Sequence, residues 1–189
     1  SVVIPAYNEV KNLKRGVLGS VYEYLSDQKY SWQVLVIDDG STDETAKIVE
    51  EFLSRHKRFD LLREPHRGKG GTLVVGMLKA EGDIVLFSDM DQSTQIDQIE
   101  KFLQKFEEGY DVVIGSRRGR PGQSFERKIM AYGWVFLRSL VLRLPFKDTQ
   151  CGFKAFKNSA AKKIFKKMQI FGEEERTVGS AVTAGFDLE

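Results

Sequence analysis

The sequence predicts an α/β protein in which helices flank a doubly wound, mostly parallel β-sheet, and two observations lead to this fold class. Short apolar runs rich in β-branched residues lack polar alternation, which is typical of strands covered on both faces. Amphipathic helical patterns separate these runs, and strands that alternate with helices indicate a parallel sheet. The predicted strands are Ser1–Ile4, Val34–Ile37, Ile84–Phe87 and Val112–Ile114.

Helical patterns lie between these strands. Apolar residues at helical spacing indicate a helix after the first strand and another, Gln95–Glu108, that ends at Gly109. The string Ser41-Thr42-Asp43-Glu44 is a capping-box pattern and predicts a helix that runs to about Arg55. The shared apolar faces are Leu13, Val17, Val21 and Leu25 in the first helix, and Ile96, Ile99, Leu103 and Phe106 in the later one.

The C-terminal third is less regular. The patterns indicate a Gly/Arg-rich loop, a long helix, a turn into a strand and a short basic helix, at Gly115–Gln123, Phe125–Leu144, Asp148–Phe156 and Ser159–Lys167. The apolar stretch Phe125–Phe146 contains too many basic residues to span a bilayer. It fits either an amphipathic helix at a membrane surface or a core helix whose arginines reach solvent.

Length and composition indicate one globular domain. The chain has 189 residues, of which 41% are hydrophobic and 30% charged, and its one cysteine, Cys151, excludes an internal disulfide. The net charge is −6 over residues 1–116, +12 over 117–168 and −4 over 169–189. The basic segment suggests a polyanionic partner such as phosphates, nucleic acid or anionic lipid. We expect a fragment of a longer chain, because it opens inside an apolar run and stops where a helix starts.

Polar residues follow the predicted strands, and ligands bind beyond the carboxyl ends of parallel strands. Asp89 and Asp91 follow one strand, and carboxylates with this spacing fit either a hard divalent cation or a turn with a helix cap. The convergence of several carboxylate clusters at one sheet edge favours the metal, because like charges need a compensating cation. The strings at the strand ends are Pro5-Ala6-Tyr7-Asn8-Glu9, Asp38-Asp39-Gly40-Ser41, Asp89-Met90-Asp91 and Gly115-Ser116-Arg117.

Two further stretches have two interpretations each. Asp38 and Asp39 could accept hydrogen bonds from a nucleoside or form a turn before a capped helix. The segment His66–Thr72 is basic and Gly-rich and opens a helix, which favours phosphate contact by Lys69 over a flexible connection. His56 and His66 lack a neighbouring Cys or His at metal-ligand spacing and are interpreted as surface residues.

Four strings occur in a fixed order: Val2–Glu9 (VVIPAYNE), Val36–Asp43 (VIDDGSTD), Arg67–Gly70 (RGKG) and Asp89-x-Asp91. Together they resemble the family 2 glycosyltransferases with the nucleotide-diphospho-sugar transferase (GT-A) fold, over residues 1 to about 118. The later string Asp148–Lys154 (DTQCGFK) is similar to the branch that glucosylates dolichyl phosphate, and it extends the resemblance to about residue 157.

The resemblance implies one catalytic domain over residues 1–189, with a nucleotide-sugar half (1–118) and an acceptor half (119–189). It implies inverting transfer of a hexose, glucose from UDP-glucose, onto a polyprenyl or dolichyl phosphate, with Mg²⁺ or Mn²⁺ as cofactor. It also implies a cytoplasmic protein at a membrane surface, peripheral to it or anchored through segments outside this chain.

The same resemblance assigns the site residues. Asp91 and Asp89 would hold the metal, and Asp89, Asp91, Asp148 and Lys154 would form the catalytic set. The acceptor phosphate would meet Arg127, Gln150 and Lys154. The nucleotide-sugar would bind Pro5, Ala6, Tyr7, Glu9, Asp38, Asp39, Lys69, Asp89, Met90, Asp91 and Arg117.

Other functions remain open on the residues alone. The chain could instead carry out another family 2 transfer, such as that of mannose from GDP-mannose. The string Val34–Asp39 also resembles the start of a signalling receiver domain, in which Asp89 would accept phosphate. A sugar nucleotidyltransferase shares the fold, and a non-catalytic nucleotide-sugar binder would bind UDP without transfer. Nucleic acid is not expected as a partner, because the basic segment lacks a regular aromatic stacking pattern.

Overall fold

A computed structural model describes residues 1–115 and 151–174, with the side chains of the second segment through residue 168. The described strands form one six-stranded sheet in the order β3-β2-β1-β4-β6-β5. Neighbouring strands from β3 to β4 are parallel, whereas β6 is antiparallel to both β4 and β5. The strands are β1 (Val2–Ala6), β2 (Val34–Asp38), β3 (Phe59–Arg63), β4 (Ile84–Ser88), β5 (Val112–Ile114) and β6 (Phe153–Lys157). The mostly parallel α/β fold predicted from the sequence is confirmed.

The sheet has an apolar core on each face. Successive side chains of a strand point to opposite faces, so Val2 and Ile4 join one core while Val3 joins the other. The first core packs under α1 (Val10–Lys14), α2 (Val17–Ser26), α3 (Thr45–Leu53) and α5 (Ile99–Glu107), and the second under α4 (Gly68–Lys79) and α6 (Asn158–Glu174). Both faces of the central strands are therefore buried, as their unbroken apolar runs predict.

Four details differ from the sequence predictions. The first predicted helix is two helices, because Gly16 adopts a left-handed conformation (φ 82°) between α1 and α2. The predicted capping box at Ser41 is wrong, since Asp43 accepts the hydrogen bond from Thr45 N (2.9 Å) at the start of α3. The edge strand β3 was not among the predicted strands, and the helix at residues 95–108 begins with a 3₁₀ turn, Ile96–Gln98.

Helix α6 in the C-terminal segment is hydrogen-bonded to the end of α4. Lys162 in α6 donates to the carbonyl oxygens of Leu78 and Ala80, and Asn158 donates to those of Ala80 and Gly82. These bonds satisfy carbonyls at the end of α4, which has no further helical turn to receive them. The predicted strand and basic helix near residues 148–167 are confirmed as β6 and α6. The predicted loop at 115–123 beyond its first residue and the helix at 125–144 lie outside the described residues.

Cys151 is a free cysteine and is buried. In the part of the chain that the structure describes, no helix combines the length and apolar character needed to cross a membrane.

Candidate active site

A cavity of about 270 Å³ opens at the carboxyl ends of β1, β2 and β4, beside the start of α4. This is the edge at which parallel α/β sheets bind ligands. The described residues that line the cavity are Pro5, Ala6, Tyr7, Glu9, Asp39, His66, Gly68, Lys69, Thr72, Asp89, Met90 and Asp91. We call the wall built by the loops after β1, β2 and β3 the Asp39 side, and the wall built by the loop after β4 with Lys69 the Asp89 side.

Hydrogen bonds tie the loops after β1 and β2 to each other. Asn8, which has a left-handed backbone (φ 54°), donates from its backbone N to Ser41 Oγ (3.0 Å), and its side-chain oxygen accepts from Thr42 N (2.9 Å). Glu9 N donates to Thr45 Oγ1 (2.7 Å), which is fully buried. The two loops thus form one connected unit, and Glu9 is held at the cavity rim.

The Asp39 carboxylate is buried and already has partners on both oxygens. Oδ1 accepts a hydrogen bond from Arg67 N (2.8 Å), and Oδ2 lies 3.0 Å from His66 Nδ1. The Asp39 side chain is 4% exposed, against 56% for His66. A carboxylate in such a fixed frame is a preformed acceptor for a further N–H or O–H group.

An aromatic pair closes the Asp39 side. The rings of Tyr7 and His66 stack with centroids 4.3 Å apart. Gly40 allows the loop after β2 to lie close to the loop between β3 and α4, which carries His66. Its backbone is left-handed (φ 70°), and a Cβ at this position would lie only 2.9 Å from His66 N. The pair offers a flat apolar surface beside a hydrogen-bonding carboxylate, a combination suited to a planar heterocycle.

The Asp89 side is more open, and its two carboxylates are less buried than that of Asp39. Asp89 Oδ1 lies 2.7 Å from Lys69 Nζ, and Asp91, which is exposed, accepts a hydrogen bond from Ser93 N on its Oδ1 (2.9 Å). Met90 between them is buried and fixes the loop to the core. Lys69 stands in the first turn of α4, where the helix dipole and free backbone N–H groups also favour an anion.

The donor atoms on the Asp89 side suit a hard divalent cation. Within residues 1–115 and 151–168, no group of three or more His, Cys, Asp or Glu side chains converges as a metal site. Mg²⁺ commonly takes one or two protein carboxylates and completes its shell with water and substrate phosphate oxygens. Asp91 and Asp89 can supply the one or two carboxylates that such a Mg²⁺ site needs.

The structure brings most of the predicted site residues together. Every predicted nucleotide-sugar residue it describes lines the cavity, apart from Asp38. Asp38 is buried at the end of β2, and its Oδ1 accepts from Ser41 N (3.3 Å). Lys154 lies in β6 opposite Phe87 and Ile114 and does not belong to the described cavity lining. Arg117, Arg127, Asp148 and Gln150 lie outside the described residues.

Sequence reasoning missed two polar residues of the cavity wall, His66 and Thr72. His66 is half exposed, as a surface histidine should be, yet it contacts both Asp39 and Tyr7. Thr72 is buried and donates to Gly68 O (3.1 Å) within the first turn of α4. The position of His66 in the same basic loop as Lys69 is the sequence feature from which its place in the cavity wall could have been predicted.

Comparison with known proteins agrees with this geometry. The model described as "Glycosyl transferase family 2" matches residues 1–165, and the chain belongs to this family. The chain is 35% identical over 188 residues to a dolichyl-phosphate beta-glucosyltransferase of Trichomonas vaginalis, covering 90% of this chain and 57% of that one. It is 30% identical over 189 residues to the Homo sapiens dolichyl-phosphate beta-glucosyltransferase, covering 90% and 58%. The chain thus spans little more than half the length of these relatives.

Solved structures resemble the fold. Mannosyl-3-phosphoglycerate synthase from Rubrobacter xylanophilus aligns with a TM-score of 0.62 at 20% identity, covering 83% of this chain and 52% of that one. The mannosyltransferase PcManGT from Pyrobaculum calidifontis, solved with GDP-Man and Mn²⁺, aligns at 0.59 and 23% identity, covering 88% and 45%. The predicted GT-A glycosyltransferase fold is confirmed, and family membership favours a transferase over a receiver domain.

Proposed function

We propose that this chain carries the donor-binding and catalytic part of a glycosyltransferase that moves glucose from UDP-glucose onto dolichyl phosphate or a related polyprenyl phosphate. The observation that carries the proposal is the convergence of Asp39, Lys69 and Asp91 on one cavity, each at the end of a different element. The names of the two relatives above support the sugar and the acceptor.

The Asp39 side would bind the nucleoside. Asp39 would accept a hydrogen bond from the base, and the ring of Tyr7, 43% exposed and stacked on His66, would pack against it. Pro5, Ala6 and Glu9 would complete this wall. Asp38 would act on the nucleoside indirectly, since its carboxylate holds the turn that leads to Ser41.

The Asp89 side would bind the diphosphate. Lys69 would contact the phosphate oxygens and stabilise the charge that develops on departing UDP. Asp91, with Asp89, would hold Mg²⁺ or Mn²⁺, which when bound neutralises diphosphate charge. Met90 would keep the two carboxylates in place.

The proposed reaction is a direct displacement at the anomeric carbon. An oxygen of the acceptor phosphate forms the new bond to that carbon while the bond to the UDP oxygen breaks, and the electron pair leaves with UDP. A phosphate monoester carries a charge of about −1.5 to −2 near neutral pH. Its oxygen therefore needs no strong general base, and the protein's tasks are alignment and charge stabilisation.

The acceptor side of the proposal comes from the sequence. Arg127, Gln150 and Lys154 would bind the acceptor phosphate, Arg117 would face the donor phosphates, and Asp148 would be an auxiliary base. The +12 charge of residues 117–168 would favour an anionic membrane surface, to which the protein would be peripheral or anchored from the cytoplasmic side.

A panel of radiolabelled nucleotide sugars tests the proposal. The protein is incubated with each sugar donor, a polyprenyl phosphate and Mn²⁺, and the label that extracts into organic solvent is counted. UDP-glucose should give a lipid-linked product. Label from GDP-mannose instead would replace glucose with mannose, and no lipid product from any donor would refute the function.

Lys154 provides a sharper test of the acceptor side. Lys154→Ala should reduce the rate of transfer by at least about tenfold while UDP affinity changes little, because Lys154 lies outside the described cavity lining. Lys157→Ala is a matched control in the same strand, since Lys157 pairs with Asp111 at the opposite end of β6. Equal loss of UDP binding and transfer in Lys154→Ala would move this residue to the donor site.

A further inference from the structure

Gly152, just before β6, lies against the loop that carries Asp89. The antiparallel register places Phe153 opposite Ser88, so the next pair outward is Gly152 and Asp89. Asp89 N donates a hydrogen bond to Gly152 O (3.1 Å). The segment that opens the C-terminal half of the chain therefore contacts the donor-site carboxylate directly.

The contact explains why this position has no side chain. The φ angle of Gly152 lies outside the left-handed region, so its backbone is open to any L-residue. A Cβ at this position, however, would overlap Oδ2 and the carboxyl carbon of Asp89 and would lie 2.9 Å from Oδ1. The carboxylate occupies the volume that a methyl group would need.

The Asp89 carboxylate is held on two sides as a result. Oδ2 rests against Gly152, and Oδ1, which has no contact with solvent, faces Lys69 Nζ at 2.7 Å. Any group larger than hydrogen at residue 152 would push the carboxylate away from β6. That movement would change the Lys69 pair and narrow the space for a diphosphate.

We propose that Gly152 is a positioning residue for donor binding: it provides the space that sets the Asp89 carboxylate and, through it, Lys69. The proposal rests on the function proposed above. It assigns the glycine of the string DTQCGFK to the donor site, although that string lies in the half predicted to bind the acceptor.

The test compares Gly152→Ala with two glycine controls. Gly152→Ala should weaken UDP binding in the presence of Mn²⁺ by about tenfold or more, measured by calorimetry. Gly115→Ala crowds the same sheet edge, but its Cβ would meet Phe153 O (2.9 Å) and Cys151 Sγ (3.0 Å) rather than Asp89. Gly19→Ala in α2 meets nothing within 4 Å. Gly19→Ala should keep the wild-type affinity, and Gly115→Ala, which disturbs the same segment without touching the Asp89 carboxylate, should lose less affinity than Gly152→Ala. Unchanged affinity in Gly152→Ala would overturn the proposal.

A double-mutant cycle separates this role from a general packing effect. In an Asp89→Ala background the overlap is gone, so adding Gly152→Ala should cause no further loss of melting temperature or UDP affinity. If Gly152→Ala alone does not fold, recovery of folding in the double variant supports the proposal. An equal loss of melting temperature in both backgrounds contradicts it.

The cycle also distinguishes this proposal from the proposed function. A wild-type protein that binds no UDP would refute the function, while the melting temperatures would still report the contact between Gly152 and Asp89. Normal UDP binding and sugar transfer with an additive cycle would refute the positioning role alone.

Discussion

The two walls of the cavity differ in how their carboxylates are held. On the Asp39 side, the buried carboxylate has a partner on each oxygen, and loops after three strands are bonded together around it. On the Asp89 side, the side chain of Asp89 is 24% exposed and pairs with Lys69, which is itself 62% exposed. Asp91 in the same lining is exposed.

The difference indicates which wall depends on a ligand. On the Asp39 side, the Arg67 backbone N–H and His66 stabilise the Asp39 carboxylate without any ligand. The Asp89 side places two carboxylates of one loop, Asp89 and Asp91, in the cavity lining, and like charges brought together cost free energy unless a cation compensates them. We therefore expect substitutions on the Asp89 side to act on ligand binding, and those on the Asp39 side to act on binding and on stability.

The largest effect is expected for Asp91→Asn. The amide keeps the hydrogen bond from Ser93 N through its oxygen but loses the negative charge, so UDP binding that depends on Mn²⁺ should fall by about a hundredfold or more. Calorimetric titration of UDP with and without Mn²⁺ measures this, and the melting temperature should stay within a degree or two of the wild type.

Asp97→Asn is the matched control for Asp91→Asn. Asp97 is an exposed aspartate on the same connection, and its Oδ1 accepts from Gln98 Nε2 (3.0 Å), away from the described cavity lining. It should leave UDP affinity unchanged. Wild-type affinity and metal dependence in Asp91→Asn would remove the metal assignment.

A smaller effect on binding, with a clear effect on stability, is expected for Asp39→Ala. The substitution leaves the Arg67 N–H, which is in a part-buried hydrogen bond, without its acceptor, and this costs at most about 1–3 kcal/mol of folding free energy. It also removes the proposed acceptor for the base, so UDP affinity should fall by about tenfold. Chemical denaturation and UDP titration measure the two effects.

Asp60→Asn on the exposed side of β3 serves as the control for Asp39→Ala. It should change neither quantity. If Asp39→Ala lowered UDP affinity without any loss of stability, the buried hydrogen bonds would contribute less than the geometry indicates, and the contrast between the two walls would fail.

The sequence predicts the central architecture because the central strands are buried on both faces. An unbroken apolar run such as Val34–Ile37 indicates a strand that is buried on both faces. The short motifs that follow such strands lie at the same edge of the sheet, independently of the loop conformations. The half-exposed strand β3 is less distinct, since Asp60 and Arg63 interrupt its apolar residues. Its absence from the predictions follows from that mixed pattern.

The contacts inside the site could not be read from the sequence. The role of His66 depends on the left-handed Gly40, which brings the loops after β2 and β3 together. Likewise, Ser41 does not cap α3, because its Oγ accepts a hydrogen bond from Asn8 N and the helix begins only at Thr45, with Glu44 at the N-cap. In both cases the contacts that a residue makes depend on a partner more than 25 positions away in the sequence.

The smallest effect is a pH dependence on the Asp39 side. Burial acts to raise the pKa of Asp43, but hydrogen bonds from the Thr45 side chain and backbone hold it below its usual value of 3.8. A carboxyl group whose pKa is lower in the folded state stabilises that state above the pKa of the unfolded chain. This contribution should be complete above pH 3.8 and be lost as the pH falls through the folded value.

Because Asp43 is exposed, the contribution should be less than about 0.5 kcal/mol. Asp43→Asn should therefore melt slightly below the wild type at pH 7, and this difference should shrink as the pH falls below 3.8, with Asp60→Asn as the control at each pH. UDP affinity at pH 7 should be unaffected, because Asp43 supports the start of α3 and does not belong to the described cavity lining. A difference in melting temperature that grew at low pH would reverse the sign and show that Asp43 is not stabilised as a carboxylate.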